Sequence, residues 1–492
     1  MKRLYRLIIA AVACLIVAAV ACTPEVVQPE ENTQEETVEP QTPEENNNEE
    51  PGDDNTQPQN NNEDQGGQTT PDENGNEPGS ENNGENNEDY PDVQIAALPV
   101  LSPSVREEKG AISLSEEARE YSKAANRFAF NLLPTLYEGA SFASSPLSIQ
   151  MALSMVADGA AGQTLVEMLN TLGFPSTDGM NEYGKAIVEQ LPAVDLSVSL
   201  QLANTMIVNE MYPVKESYVE QIGAYYYAPV ANMTFANPAK VREVVNDWCS
   251  KNTNGIIPSI LEAPYPDSKT MAYLLNALYF KAAWTNPYDP GYQVWKNRPF
   301  KAAGGDASVD YLISQENLRY SDNGSFRVAW RPMGEDGLYD FAVLLPKEDD
   351  GLAGLLQMLP SVDWSEMQSS AGYQELIMTI PAFDVSGSFD LVNNLFSLGM
   401  ERAFMDDIAE FPNMFDGASS CISKVLHKAR IILGDGGIEA ASITSVEMYD
   451  TMEGPGEETP QPVEFYADHP FVFVITERGS GTILFAGVYD GK

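Results

Sequence analysis

Two histidines, His427 and His469, are the only side chains in this 492-residue sequence that titrate naturally near neutral pH. Both lie near the C-terminus, and neither has a nucleophile-like neighbourhood. The chain contains no G-x-S-x-G, no phosphate-binding loop, no H-E-x-x-H and no C-x-x-C. A Ser–His–Asp triad built from distant positions, with His427 as base, is the weakest of the available readings. Carboxylates are too numerous for any pair to stand out as an acid–base couple. These absences point away from an enzyme and from any metal or cofactor.

The segment 434–462, GDGGIEAASITSVEMYDTMEGPGEETPQP, is the more informative one. It has few large apolar residues and reads as an exposed loop. Its first half nevertheless alternates like a strand. Ile438, Ala440, Ser442, Thr444, Val446 and Met448 share one parity and are uncharged; Glu439 and Glu447 fall on the other. One face could be buried while the other stays in water. Such a loop is a candidate for insertion into a sheet, although an acidic surface hairpin with chance alternation fits this segment equally well.

The elements that would position it can be traced along the chain. Ser113-x-x-Glu116 resembles a capping box, and Tyr121, Ala125, Phe128, Leu132 and Leu136 follow at helical spacing. Ser144-Ser145-Pro146 starts a second helix, Gln163 to Leu172 forms a third with Gly173 after it, and Asn237-Pro238 opens a fourth. Strand-like runs are Phe341–Leu345, Leu376–Val385, Phe471–Thr476 and Thr482–Val488. Helices crowd the first half and strands the second, which favours an α+β fold.

Taken together, these blocks resemble the serpin family. The loop is similar to the family's hinge and reactive-centre loop through Asp435, Gly437, Glu439, Ala440, Ala441 and Thr444. Asn126-Arg127-Phe128-Ala129-Phe130, Ser144–Ile149, Gly159-Ala160-x-Gly162-x-Thr164, Asn246-Asp247-Trp248 and Thr253-Asn254-Gly255 resemble family blocks in family order. The most specific is Asn276-Ala277-Leu278-Tyr279-Phe280-Lys281-x-x-Trp284; Val425–Ala429, His469-Pro470-Phe471 and Leu484–Gly487 complete the set.

The resemblance implies one large central mixed β-sheet, two smaller sheets, about eight or nine helices and an exposed reactive-centre loop. It also implies a protease inhibitor that acts as a suicide substrate: the loop is cleaved, an acyl-enzyme forms, and the loop inserts into the main sheet. The target protease would be a covalent partner, and the inhibitor a monomer. By similarity the hinge comprises Asp435, Gly437, Ile438, Glu439, Ala440, Ala441, Ser442 and Thr444. Ser145, Ser148, Asn276 and His427 would lie beneath the point where the sheet parts, with Trp284 at its top. Three departures stand out. Ile438 occupies a position where the family prefers Thr or Ser, and its bulk is expected to slow the first insertion step. Asp435 stands in place of the hinge glutamate, and Ala382, after Pro381, stands where the family carries its basic partner. The loop also runs several residues longer than usual. Counting from Asp435 places the reactive-site bond between Thr451 and Met452. No Lys or Arg lies between Ile438 and Pro470, so elastase-like, subtilisin-like or papain-like targets are expected. A non-inhibitory serpin-fold protein whose loop is a plain substrate is the alternative.

The charge pattern frames these readings. The formal net charge is −45, and residues 23–92 carry 22 acidic groups with no Lys or Arg. That balance argues against nucleic acid, which selects basic surfaces. Lys2, Arg3 and Arg6 precede fifteen apolar residues and Ala19-Val20-Ala21-Cys22, which resembles a bacterial lipoprotein cleavage box. The expected organisation is a signal peptide over 1–21, a lipid anchor on Cys22, a disordered acidic tether over 22–95 and the folded domain over 96–492. A lipid-anchored protein of the bacterial envelope, periplasmic or surface-exposed, follows as an expectation. Cys249 and Cys421 could bridge or could serve as small buried hydrophobes.

Overall fold

The computed structural model describes residues 110–262, 270–302, 304–416, 420–439 and 461–492. The first helix, α1 (Glu116–Leu136), starts at Ser115, whose hydroxyl accepts a hydrogen bond from the Ala118 N–H at 3.1 Å. The cap is therefore two residues beyond Ser113. This start places Glu116 and Glu117 in the first turn, where they meet the positive end of the helix dipole. Tyr121, Ala125, Phe128, Leu132 and Leu136 form its buried face.

Strand β1 (Phe142–Ser144) runs into α2 (Pro146–Gly159), capped by Ser145. Helix α3 (Gly162–Leu172) ends at Gly173, which takes the left-handed φ of 82° that glycine permits. Next come α4 (Thr177–Gln190), β2 (Ser199–Asn209), α5 (Glu216–Tyr226), β3 (Val230–Met233) and α6 (Pro238–Asn252), the last capped by Asn237. Strands β4 (Ala272–Ala283), β5 (Val294–Phe300), β6 (Ala307–Asp322), β7 (Phe326–Met333) and β8 (Tyr339–Pro346) precede two short helices, α7 (Leu352–Met358) and α8 (Trp364–Ser370). The chain continues through β9 (Gly372–Pro381), β10 (Phe383–Asp390), α9 (Val392–Ser397), β11 (Leu426–Gly434), β12 (Gly437–Ile438), β13 (Val463–Tyr466), β14 (Phe471–Glu477) and β15 (Ile483–Tyr489).

Six strands form a mixed sheet in the order β10-β11-β12-β4-β2-β3. The other nine form a second sheet, β1-β15-β14-β8-β7-β6-β9-β13, with β5 also on β6. The two smaller sheets expected from the resemblance are thus one continuous sheet. The sixteen-residue β6 joins them, because it pairs with β5, β9 and β7 along different parts of its length. The apolar run Leu376–Val385 is likewise two strands. Pro381 has no N–H to donate, and the chain crosses there from the nine-stranded sheet to the six-stranded one.

Helix α2 packs against β4 and β15 in the main core. On the opposite side of β4, α6 lies across β2 and β4. Its Val241, Val245 and Trp248 close a second core with Ile207, Leu275 and Ala277. Burial of Val241 and Val245 contributes about 1.5–3 kcal/mol each. Strand β4 is therefore held from both faces, which makes it a fixed wall for whatever lies beside it.

Candidate functional site

Strand β12 is two residues long and lies between β11 and β4. Ile438 pairs with Leu433 on one side and Ala282 on the other; Gly437 pairs with Gly434 and Ala283. At this level β11 and β4 are separated by two strand spacings, about 9–10 Å. Among the described residues no pairing joins β11 directly to β4 below this point. The gap instead opens into a cavity of about 660 Å³, bounded by α2, the N-terminal half of β4 and residues 420–427.

The residue types at the hinge follow from this seating. Gly437 has a φ of +131°, and a Cβ there would lie 2.2 Å from the Ala282 carbonyl oxygen. Only glycine fits. Ile438 is fully buried in the main core. Its backbone already pairs with Leu433 and Ala282 in the uncut chain. At Glu439 the φ of +52° departs from strand geometry, while its N–H still donates to the Ile432 carbonyl at 3.0 Å. Burial raises the Glu439 carboxyl pKa, opposed by a hydrogen bond from Tyr279 and by Lys281 and Arg430.

Asp435 makes no ion pair among the described residues, and Ala382 offers none. Its carboxylate accepts from the Gly436 N–H at 3.0 Å. Three consecutive hinge carbonyls are held instead by one segment. Trp284 donates from Nε1 to Gly434 O at 2.9 Å and from its backbone to Gly436 O at 3.1 Å; Tyr288 N donates to Asp435 O at 3.3 Å. Trp284 is 2 % exposed, at the top of the gap.

Lower down, Asn276 on β4 and His427 on β11 line the two sides of the gap, with the start of α2 beneath. Ser148 Oγ donates to Asn276 Oδ1, and Asn276 Nδ2 donates to Asn204 Oδ1 at 2.6 Å. On the other side, the Ser145 N–H donates to His427 Nε2 at 2.9 Å. Ser145 Oγ accepts from Ser148 N at 3.2 Å and donates to the Leu484 carbonyl at 2.7 Å. Asn276 and His427 share no hydrogen bond, so at this level α2 links the two walls. Ser145→Ala removes a helix cap and a buried donor together. It is expected to lower stability by about 1–2 kcal/mol, read as a lower urea midpoint.

His427 accepts at Nε2 and is buried, which pushes its pKa down to about 4. It is a neutral structural acceptor, not a base poised for neutral pH. His469 sits between Asp468, 2.8 Å from Nδ1, and the Pro346 carbonyl, 2.9 Å from Nε2. Asp349, Asp468 and His469 form the one metal-like group among the described residues, but Lys301 Nζ lies 3.0 Å from both carboxylates and occupies it. Cys249 and Cys421 are free thiols, and burial pushes the Cys249 pKa up to about 12. The expected hinge residues Ala440, Ala441, Ser442 and Thr444, the expected bond Thr451–Met452 and the expected anchor Cys22 lie outside the described residues. Sequence reasoning did not identify Arg331, buried against Trp284 and Tyr288. Its signal was a lone cation inside the apolar run Val328–Met333.

Comparison with known proteins agrees with this geometry. The family model Serpin (serine protease inhibitor) matches residues 123–490. An uncharacterized serpin-like protein of Thermococcus kodakarensis is 28% identical, with 83% of this chain and 92% of the relative covered. Serpin-Z1C of Triticum aestivum is 29% identical over 77% of this chain and 98% of its own length. The crystal structure of tengpin, a thermophilic serpin in its native state, superposes with a TM-score of 0.69 at 24% identity, covering 81% of this chain and 99% of tengpin. The chain described here belongs to the serpin family.

Proposed function

We infer that the protein is an inhibitor that traps its target protease. The loop between β12 and β13 is offered as substrate, the protease acylates itself on it, and the freed segment enters the gap between β11 and β4 as a new strand. The seating of Gly437 and Ile438 between two strands that do not otherwise pair with each other carries this reading, because insertion then continues from an existing start. The uncharged parity of Ala440, Ser442 and Thr444 supports it, since a strand entering a buried slot cannot bring an unpaired charge. The scissile bond is placed at Thr451–Met452. The absence of Lys and Arg from the loop selects elastase-like, subtilisin-like or papain-like proteases. Cys22, lipidated, tethers the domain through the acidic segment to a bacterial envelope, periplasmic or surface-exposed, and the inhibitor acts as a monomer.

The competing reading is a non-inhibitory member whose loop is simply cut. Of the two features favouring it, the bulk of Ile438 loses its force once that residue is seated, which leaves Ala382. Incubating the purified protein with trypsin, elastase, subtilisin and papain decides between them. An SDS-resistant complex with one of the last three is expected, together with a large rise in melting temperature after loop cleavage. A complex with trypsin alone overturns the target class. Clean cleavage with neither complex nor stabilisation establishes the non-inhibitory reading.

A further inference from the structure

The hinge ion pair that Asp435 cannot make has a replacement on the opposite side of the gap. Arg331, on β7 of the nine-stranded sheet, is 2 % exposed. Its guanidinium carbon lies 3.7 Å from the centre of the Tyr288 ring and 4.7 Å from that of Trp284; the two rings stand 5.8 Å apart at 88°. Nη2 donates to the Asn286 carbonyl at 2.8 Å and to Glu316 at 2.5 Å, and Nε donates to the same carboxylate at 3.2 Å. Asn286 Nδ2 donates to the other Glu316 oxygen at 2.9 Å. Thr285 is fixed to the end of β7 through the Pro332 and Gly334 carbonyls.

The segment 284–288 is thus wrapped around one guanidinium, and it is the same segment whose Trp284 and Tyr288 hold the carbonyls of Gly434, Asp435 and Gly436. We propose that Arg331 is a positioning residue for the hinge. By clamping Trp284 and Tyr288 it keeps Gly437 and Ile438 seated in the six-stranded sheet before cleavage, and so sets how readily insertion proceeds after it. A planar cation suits this task. It lies against the Tyr288 and Trp284 rings while Nε and Nη2 donate to Glu316 and Asn286, a pairing of ring contact and directed donors that a lysine ammonium does not reproduce. The consequence for inhibition rests on the trapping mechanism inferred above, whereas the hold on the hinge does not.

Amide hydrogen exchange on the uncleaved full-length protein separates the two. Arg331→Met is expected to raise exchange at Gly437–Glu439 by about tenfold or more, with β14 and β15 unchanged. Arg331→Lys should fall between parent and R331M. Should R331M fail to fold for want of a partner for Glu316, R331K and the double variant R331M/E316Q carry the measurement. Unchanged exchange at the hinge, or an increase spread evenly over the molecule, overturns the proposal. With a protease that forms the complex, the variant should raise the number of inhibitor molecules consumed per complex while the rate of first cleavage stays as in the parent. A merely structural role would move neither selectively. If the parent forms no complex with any protease, the trapping mechanism fails, and the exchange comparison still decides the clamp.

Discussion

Ile438→Glu is expected to turn the trap into a substrate. Ile438 is fully buried between Leu433 and Ala282, in contact with the main core. A carboxylate there would be buried among apolar core residues, and burying it unpaired costs several kcal/mol. The variant hinge must therefore leave the sheet, and insertion after cleavage must begin by burying that same charge. A penalty of about 3 kcal/mol on the insertion step shifts the partition between trapping and release by roughly a hundredfold. With a protease that forms a complex with the parent, the SDS-resistant band should disappear. The loop should be cut completely, at the same bond and at the parental initial rate. Ile438→Val, which loses one methylene at a cost of about 0.5–1.5 kcal/mol, should retain the complex. A complex from I438E at parental stoichiometry would mean that seating of this residue is irrelevant to trapping.

The same hinge shows why insertion should run forward once the chain is cut. Glu439 is a non-glycine residue at φ +52°, a conformation costing about 1–2 kcal/mol relative to the right-handed or extended regions. To extend β12 it must become extended, which releases that strain. Its half-buried carboxylate, held by Tyr279, lies on the parity that faces away from the core. The far end of the loop is held at β13, where Val463 to Tyr466 pair in parallel with Leu376 to Thr379. Cleavage removes that hold from one end. No charged group on the inward parity opposes the next step as far as Met448.

How much of this was legible depended on whether local pattern or long-range pairing decided it. Helices whose start or stripe is written locally, such as α2 with Ser145-Pro146, α6 with Asn237-Pro238 and α1 with its apolar spacing, could be read because those signals sit close together in the sequence. Strands β6 and β2 were missed. β6 carries polar residues on half of its positions, including Gln315, Glu316 and Asn317, and is defined by partners sixty residues away. The break at Pro381 was hidden inside an unbroken apolar run. At the site, Gly437 and Ile438 could be placed at the hinge from the loop's resemblance to the serpin hinge, yet nothing local says that they are already seated. The clamp by Arg331 depends on β4, β6 and β7 meeting, which no short window contains.

His427 should make stability fall in mild acid, and its replacement should abolish that part of the profile. Its Nε2 accepts the Ser145 N–H at 2.9 Å and burial lowers its pKa to about 4, against about 6.5 for a free histidine. Above pH 6.5 the ring is neutral in folded and unfolded chains, and titration contributes nothing. Between pH 6.5 and 4 the unfolded chain takes up a proton that the folded one refuses. Stability is then lost at about 1.4 kcal/mol per pH unit, or about 3 kcal/mol in all. Other groups titrate over the same range, so the informative quantity is the difference between the parent and His427→Gln, whose amide oxygen can still accept from Ser145. In urea unfolding at pH 7.5, 5.5 and 4.5 that difference should change by about 2.5 kcal/mol across the series, with the variant gaining on the parent as pH falls. Parallel profiles would show that the ring titrates normally in the fold and that its bond to Ser145 does not restrain it. The location gives the effect a mechanical meaning. The Ser145–His427 bond ties β11, one wall of the gap, to the start of α2, which also holds the other wall through Ser148 and Asn276. Protonation costs the fold that tie, so acid should loosen the wall that the inserting strand has to meet.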